Sequence, residues 1–78
     1  MKQALSAFKH YVVCVKNKGY EASLDRRKIY RVLPDKQAFA RGLLRIVDES
    51  GQPYLYPYYF FAPIKLSSPL VKALALAA

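Results

Sequence analysis

Short apolar runs separated by polar, glycine or proline residues dominate the chain. Four of these runs are rich in β-branched and aromatic residues and predict strands: they are residues 11–15, 28–33, 43–47 and 53–56. The last two flank a polar segment that contains Gly51, which predicts a hairpin. Residues 58–66 are expected to form a tight connection and a short final strand, with Pro63 at a sheet edge. The pattern is that of a small, mostly β domain.

Two connecting segments carry weaker patterns. Residues 19–27 have no sustained period and are expected to form an irregular loop, with Gly19 at positive φ. Residues 36–41 have helix-forming composition, but Pro34 and Gly42 bound them closely. This segment is therefore expected to be a loop with one helical turn.

The two ends of the chain differ in their patterns. Residues 1–8 have no clear periodicity and are expected to form a flexible arm or a short helical turn. Residues 67–78 are expected to form a helical tail, with Ser68 as N-cap and Pro69 at the first helical position. Residues 9–66 between them form the predicted β domain.

Length and composition limit the possible classes of protein. Seventy-eight residues allow one small core, and a hydrophobic share of 54% with eleven aromatic residues excludes intrinsic disorder. The formal net charge of +8 favours polyanionic partners, whether nucleic acid, anionic membrane or acidic protein. The charge indicates a class of partner but does not identify one.

Cysteine usage and the N-terminal sequence point to a cytoplasmic protein. Cys14 is the only cysteine and His10 the only histidine, so neither an intramolecular disulfide nor a zinc site is expected. Lys9 and His10 interrupt the first apolar stretch before a signal peptide can form. No apolar run reaches the length of a membrane span.

The order of the elements resembles that of an SH3-like (Src-homology-3-like) barrel: strands joined by a loop, a tight hairpin and a brief turn before the last strand. Three sequence patterns carry the resemblance. Leu24-x-x-x-Lys28-x-Tyr30-x-Val32-Leu33 is similar to the second-strand pattern of the family, residues 42–56 to its central hairpin, and Pro57-x-x-Phe60-Phe61-x-x-Ile64 to the Pro-x-x-Tyr-Val-x-x-Ile ending of eukaryotic SH3 domains. The resemblance implies a barrel of about five strands, followed here by a short C-terminal helix.

Departures from the eukaryotic pattern concern its peptide-binding groove. The chain has no tryptophan, the loop at residues 17–21 is basic rather than acidic, and Phe60 lacks the hydroxyl of the family's tyrosine. Binding of proline-rich peptides is therefore not carried over. Residues 18–24 and 45–51 are also similar to a family of small, uncharacterised bacterial proteins, which implies a bacterial origin and no mechanism.

The nucleophiles and carboxylates of the chain do not form a catalytic or metal-binding set. Cys14 and His10 lie four residues apart on an extended strand, roughly 13 Å from each other, and cannot act as a pair. Asp48 and Glu49 are adjacent and diverge, and Ser50 and Gly51 beside them favour a simple turn. We therefore expect that the protein is not an enzyme and that it has neither a metal site nor a cofactor.

Aromatic residues between positions 54 and 61 are unusually dense, and a small barrel cannot bury all of them. Alternation places Tyr54 and Tyr56 on one face of their strand and Leu55 on the other. Exposed tyrosines can anchor a protein or stack on bases. The leading hypothesis is a non-enzymatic protein-binding module whose surface comprises four residues: Tyr20, Arg31, Pro57 and Phe60.

The alternative is a small basic nucleic-acid-binding barrel. Its phosphate contacts would come from the densest basic cluster, which consists of Arg26, Arg27, Lys28, Arg31 and Arg45. The same cluster is also explained as a solvated face balanced by Glu21 and Asp25, and no base-reading motif accompanies it. The sequence leaves the identity of the partner and the oligomeric state open.

Overall fold

The structure is a computed structural model and describes the backbone of residues 5–77 and the side chains of residues 5–74. Its strands are β1 (Tyr11–Cys14), β2 (Ile29–Leu33), β3 (Leu43–Val47), β4 (Pro53–Pro57) and β5 (Phe61–Pro63), and its helices are α1 (Lys36–Ala40) and α2 (Ser68–Ala77). Two short 3-10 turns lie at Leu5–Phe8 and Tyr58–Phe60. The mostly β class, the five strands and the short C-terminal helix are confirmed.

All five strands belong to one antiparallel sheet in the order β4-β3-β2-β1-β5. Consecutive strands β2, β3 and β4 form a meander, and β5 returns to pair with β1. Because β4 and β5 do not pair within the described residues, the sheet is open there and has two edges. Pro63 ends the edge strand β5, as predicted, since an edge tolerates a residue without an amide hydrogen.

Successive side chains of a strand point to opposite faces of the sheet. The side chains on one of these two faces form the core. The strands contribute eight side chains to the buried cluster, those of Val12, Cys14, Tyr30, Val32, Leu44, Ile46, Tyr56 and Phe61. Leu24 from the β1–β2 connection and Phe60 from the second 3-10 turn complete this cluster with Phe8.

Phe8 lies inside the segment that was predicted to be an N-terminal arm. It is buried, and its ring packs 5.9 Å from Phe39 and 6.3 Å from Tyr58, measured between centroids. The described part of that segment, Leu5–Phe8, therefore belongs to the folded body and takes the form of the short helical turn. Residues 1–4 of the predicted arm lie outside the described residues.

The first helix begins at Lys36, within the segment predicted to form one helical turn, and α2 begins at Ser68, one residue before the predicted first helical position. Asp35 caps α1, its Oδ1 accepting a hydrogen bond from the Ala38 amide at 3.0 Å. For α2 the predicted cap Ser68 is wrong, because Ser67 Oγ accepts from the Leu70 amide at 3.3 Å. Neither helix, as far as the structure describes the chain, is long and apolar enough to cross a membrane.

Candidate functional site

The connection between β1 and β2, residues 15–28, is the longest irregular segment of the described chain, and we call it the long loop. It is folded on itself. The Tyr20 amide donates to the Asn17 carbonyl at 2.7 Å, and Asn17 Nδ2 donates to the Leu24 carbonyl at 2.9 Å. Leu24 is fully buried and anchors the loop in the core, while Gly19 adopts φ +88° as predicted.

A hydrogen-bonded group of side chains ties the long loop to the turn between β3 and β4. The Tyr56 hydroxyl donates to the buried Asp48 carboxylate and lies 3.0 Å from Ser23 Oγ in the loop. The Glu49 amide donates to the Ser23 carbonyl at 3.1 Å. Ser23 is thus held by side chain and backbone alike.

Tyr30 makes a second connection between the same two segments. Its hydroxyl accepts a hydrogen bond from the Asp25 amide at 2.7 Å and donates to Glu49 Oε2 at 2.6 Å. Lys28 Nζ lies 2.5 Å from the same carboxylate oxygen. We call Ser23, Asp48, Tyr56, Tyr30 and Glu49 together the polar network.

The charge states of the polar network suit these bonds. Burial raises the pKa of Asp48, but hydrogen bonds from Ser50 and Tyr56 outweigh it and hold the pKa below its usual range. Hydrogen bonds from Lys28 and Tyr30 lower the pKa of Glu49. Burial raises the pKa of Tyr30 and of Tyr56. At neutral pH the carboxylates accept and the phenols donate.

Three aromatic side chains in successive contact adjoin the polar network through Tyr56, and we call them the aromatic strip: Tyr20, Phe60 and Tyr59. The Phe60 ring packs 5.7 Å from Tyr20 and 5.5 Å from Tyr59, in edge-to-face contacts. Tyr20 is 45% exposed and Tyr59 57%, whereas Phe60 is only 7% exposed. Two accessible tyrosines therefore flank a buried phenylalanine.

Further contacts hold the two tyrosines in place. The Tyr20 ring also packs 5.2 Å from the buried Tyr56, and Lys16 Nζ lies 5.8 Å from the centre of the Tyr59 ring. The strip thus continues into the core at one end and meets a cation at the other. Lys16 and Tyr59 were not among the site residues expected from the sequence, because only the tertiary fold brings residue 16 beside residue 59.

The four residues of the leading hypothesis do not share one surface. Tyr20 and Phe60 are in contact, and Pro57 ends β4 immediately before the turn that carries Phe60. Arg31 lies between Tyr30 and Val32, both of which face the core. Its side chain therefore leaves the sheet from the opposite face.

The basic cluster of the alternative hypothesis is also divided. Lys28 is paired with Glu49, and Arg45 binds Asp35 through Nε at 3.0 Å and Nη2 at 2.7 Å. Arg26 and Arg27 are exposed in the turn that precedes β2. Arg31 and Arg45 lie on the outward face of neighbouring strands, so Arg45 comes near Arg31 across the sheet but carries its own counterion.

Only part of the aromatic density lies at the surface. Of the six aromatic residues between positions 54 and 61, Tyr56, Phe60 and Phe61 are buried and Tyr58 is half-buried. Tyr54 shares a sheet face with Tyr56 yet is 55% exposed; it lies on β4 next to the turn that connects β3 and β4.

The reactive groups of the sequence lie apart from the aromatic strip. Cys14 is fully buried, its Sγ donates to the Lys16 carbonyl at 3.2 Å, and burial raises the pKa of the thiol. His10 is exposed beyond the start of β1. Within residues 5–77 no three His, Cys, Asp or Glu side chains are grouped closely enough to hold a metal ion.

Comparison with known proteins adds no relative to this picture. The chain matches no protein-family model, no curated protein and no solved structure at a significant level.

Proposed function

We propose that the protein is a non-enzymatic binding module that engages a segment of another protein through the aromatic strip. The observation that carries this proposal is the placement of two accessible tyrosines on either side of Phe60: Tyr20 on the long loop, which the polar network holds, and Tyr59 on the 3-10 turn. Tyrosine supplies a large amphipathic contact area with few rotatable bonds. A loop that is already ordered also loses less conformational entropy when a partner binds.

We further propose that the fold is an SH3-like barrel. The pairing of β5 with β1, the β2–β3–β4 meander and the 3-10 turn at Tyr58–Phe60 before β5 support this assignment. The long loop then occupies the place between the first two strands, where a loop contributes to binding in such barrels. The partner's apolar side chains would pack against Tyr20 and Tyr59.

Nucleic-acid binding is the second candidate, supported by the formal net charge of +8 and by exposed tyrosines able to stack on bases. Its five proposed phosphate contacts are divided, because Arg26 and Arg27 lie in the turn before β2 and Lys28 is paired with Glu49. Arg31 projects from the sheet face opposite the core. The three residues of the aromatic strip are instead in contact with one another, and we therefore prefer the protein-binding proposal.

The experiment that tests the proposed function is affinity purification of the tagged protein from bacterial cytoplasm, in nuclease-treated and untreated halves. The wild type is compared with a Tyr20→Ala, Tyr59→Ala double variant. Tyr54→Ala is the matched control, since Tyr54 has a similar exposure outside the strip. Co-purifying proteins and nucleic acid are both quantified.

We expect protein partners that survive nuclease, are lost from the double variant and are kept by Tyr54→Ala. Equal recovery of every partner by wild type and double variant would overturn the role of the strip. Nucleic acid in the untreated half, with all proteins lost after nuclease, would favour the second candidate instead.

A further inference from the structure

The sheet face that points away from the core is nearly all apolar, which is unusual for an exposed face of an antiparallel sheet. Its side chains come from alternate positions of the strands. On β2, β3 and β4 the outward residues are Ile29, Arg31, Leu33, Leu43, Arg45, Val47, Pro53, Leu55 and Pro57. Only the two arginines among them are polar.

Strand register arranges these outward residues in rows across the sheet. Leu33, Arg45 and Leu55 form one row on β2, β3 and β4. Ile29 pairs with Val13 in a second row, on β2 and β1. Ile29 is 41% exposed and Leu55 42%. We call Val13, Ile29, Arg31, Leu33, Arg45, Val47 and Leu55 the outward face.

Both arginines of the outward face are placed to receive an acidic group. Arg31 pairs with Val47 in the register, two residues from Arg45, so their Cβ atoms lie about 7 to 8 Å apart. Asp35 binds Nε and Nη2 of Arg45, which fixes the guanidinium and leaves Nη1 without an acceptor in the described chain. Arg31 has no ion pair there.

The spacing of the apolar residues fits a helix. Leu33 and Leu55 lie two strands apart, which is about 10 Å. Residues i and i+7 of an α-helix are separated by almost the same distance, about 10.5 Å. A helix that lies across the strands can therefore place two apolar residues against Leu33 and Leu55, with a carboxylate between them opposite Arg45.

We infer that the outward face binds an amphipathic, acidic helix of a partner protein. The apolar residues of that helix pack on the leucine, isoleucine and valine side chains, and its carboxylates pair with Arg31 and Arg45. Charge complementarity selects an acidic partner, because Arg31 has no ion pair in the described chain and Arg45, although paired with Asp35, keeps Nη1 for a further acceptor. This inference concerns a second surface and does not depend on the aromatic strip.

A protein fits the outward face better than a polynucleotide does. Binding of single strands relies on aromatic side chains that stack on bases, and the outward face exposes aliphatic residues instead. Ile29 and Leu55 provide apolar contact area that phosphate and sugar cannot use. Nucleic acid is accordingly an alternative outcome of the test.

The test is a selection of displayed random 16-residue peptides against the intact protein, followed by fluorescence anisotropy with the selected peptides. We expect enriched sequences with apolar residues at i, i+3 or i+4 and i+7 and with flanking Asp or Glu. Arg31→Glu and Leu55→Ser should each weaken their binding about tenfold or more. Lys72→Glu makes the same charge change on exposed α2 and should leave binding unchanged. Circular dichroism verifies that each variant is folded.

Three results would overturn the inference. One is a selection that enriches no acidic amphipathic peptide. A second is binding that survives Arg31→Glu but is lost in the Tyr20→Ala, Tyr59→Ala variant, which would assign the peptides to the aromatic strip and support the proposed function alone. The third is binding of a 20-nucleotide single strand, dependent on Arg31, in the absence of peptide binding.

Discussion

The aromatic strip and the outward face are built by different means. The strip stands on the irregular long loop and a 3-10 turn, and the polar network holds that loop. The outward face is formed by paired strands, where the hydrogen bonds between strands determine on which face each side chain lies. A change remote from the strip can therefore disable it, whereas the face is altered mainly by changing its own residues.

The difference follows from how backbone groups are satisfied. In strands the neighbouring strand provides hydrogen-bond partners, but an irregular loop needs side chains or its own turns to do so. Here the Tyr30 hydroxyl accepts from the Asp25 amide and Asn17 Nδ2 donates to the Leu24 carbonyl, while the Tyr56 hydroxyl links Ser23 of the loop to Asp48. The strip is consequently the part of the molecule whose geometry depends most on a few polar atoms.

The largest difference between the two surfaces should appear in stability. Phe60→Ala removes a buried ring under the strip and should lower the free energy of unfolding by about 3 to 5 kcal/mol. Ile29→Ala on the outward face should cost about 1 kcal/mol or less, because Ile29 is already partly exposed. Urea denaturation measures both. Equal losses would contradict the assignment of Phe60 to the core.

The second largest difference between the two surfaces is expected when the Asp48 carboxylate is removed. Asp48→Ala leaves the Tyr56 and Ser50 donors without their acceptor and should cost about 2 kcal/mol. Amide hydrogen exchange in the long loop should accelerate and partner binding by the strip should weaken, with peptide binding by the outward face unchanged. Glu21→Ala, an exposed carboxylate of the same loop, is the control. Unchanged exchange in the loop would refute the role of the network.

The stabilisation that the polar network provides should decrease at both low and high pH. The pKa values of Asp48 and Glu49 are lowered in the folded state, so their stabilisation is complete above about pH 4.5 and is lost as the pH falls through the folded-state values. The raised pKa of Tyr30 gives stabilisation that is complete below about pH 10 and is lost above it. Urea midpoints measured against pH test both limbs. Tyr30→Phe should reduce the slope of the alkaline limb and leave the part due to Tyr56, whose pKa is also raised, and an unaltered slope would count against the Tyr30–Glu49 bond.

The smallest stability change is expected for the outward arginine. Arg31 is exposed and lacks an ion pair in the described chain, so Arg31→Glu should alter the free energy of unfolding by about 0.5 kcal/mol or less. Its effect should lie in peptide binding alone. Lys72→Glu, measured in parallel, separates loss of net charge from loss of a particular contact. A large destabilisation by Arg31→Glu would mean that the residue supports the fold.

Local sequence rules accounted for the strands, the β3–β4 hairpin, the edge position of Pro63 and the C-terminal helix. These features depend on alternation, turn chemistry and residues within a few positions of each other. The same rules misplaced the α2 cap by one residue, because Ser67 and Ser68 both satisfy them. They also left residues 1–8 as a flexible arm or a short helical turn and did not predict the burial of Phe8, since one aromatic residue without periodicity gives no sign of burial.

Features that join distant parts of the chain were decided by the tertiary structure. Asp48 had a sufficient local explanation as a turn residue, and nothing nearby in sequence indicated its contacts with Tyr56 and, through it, Ser23. The strand register places Arg31 on the sheet face opposite the core and therefore apart from Tyr20 and Phe60. The sequence alone determined which residues alternate and where the chain turns, because those are properties of neighbouring residues. The composition of each surface required the fold, because its residues come from segments far apart in the chain.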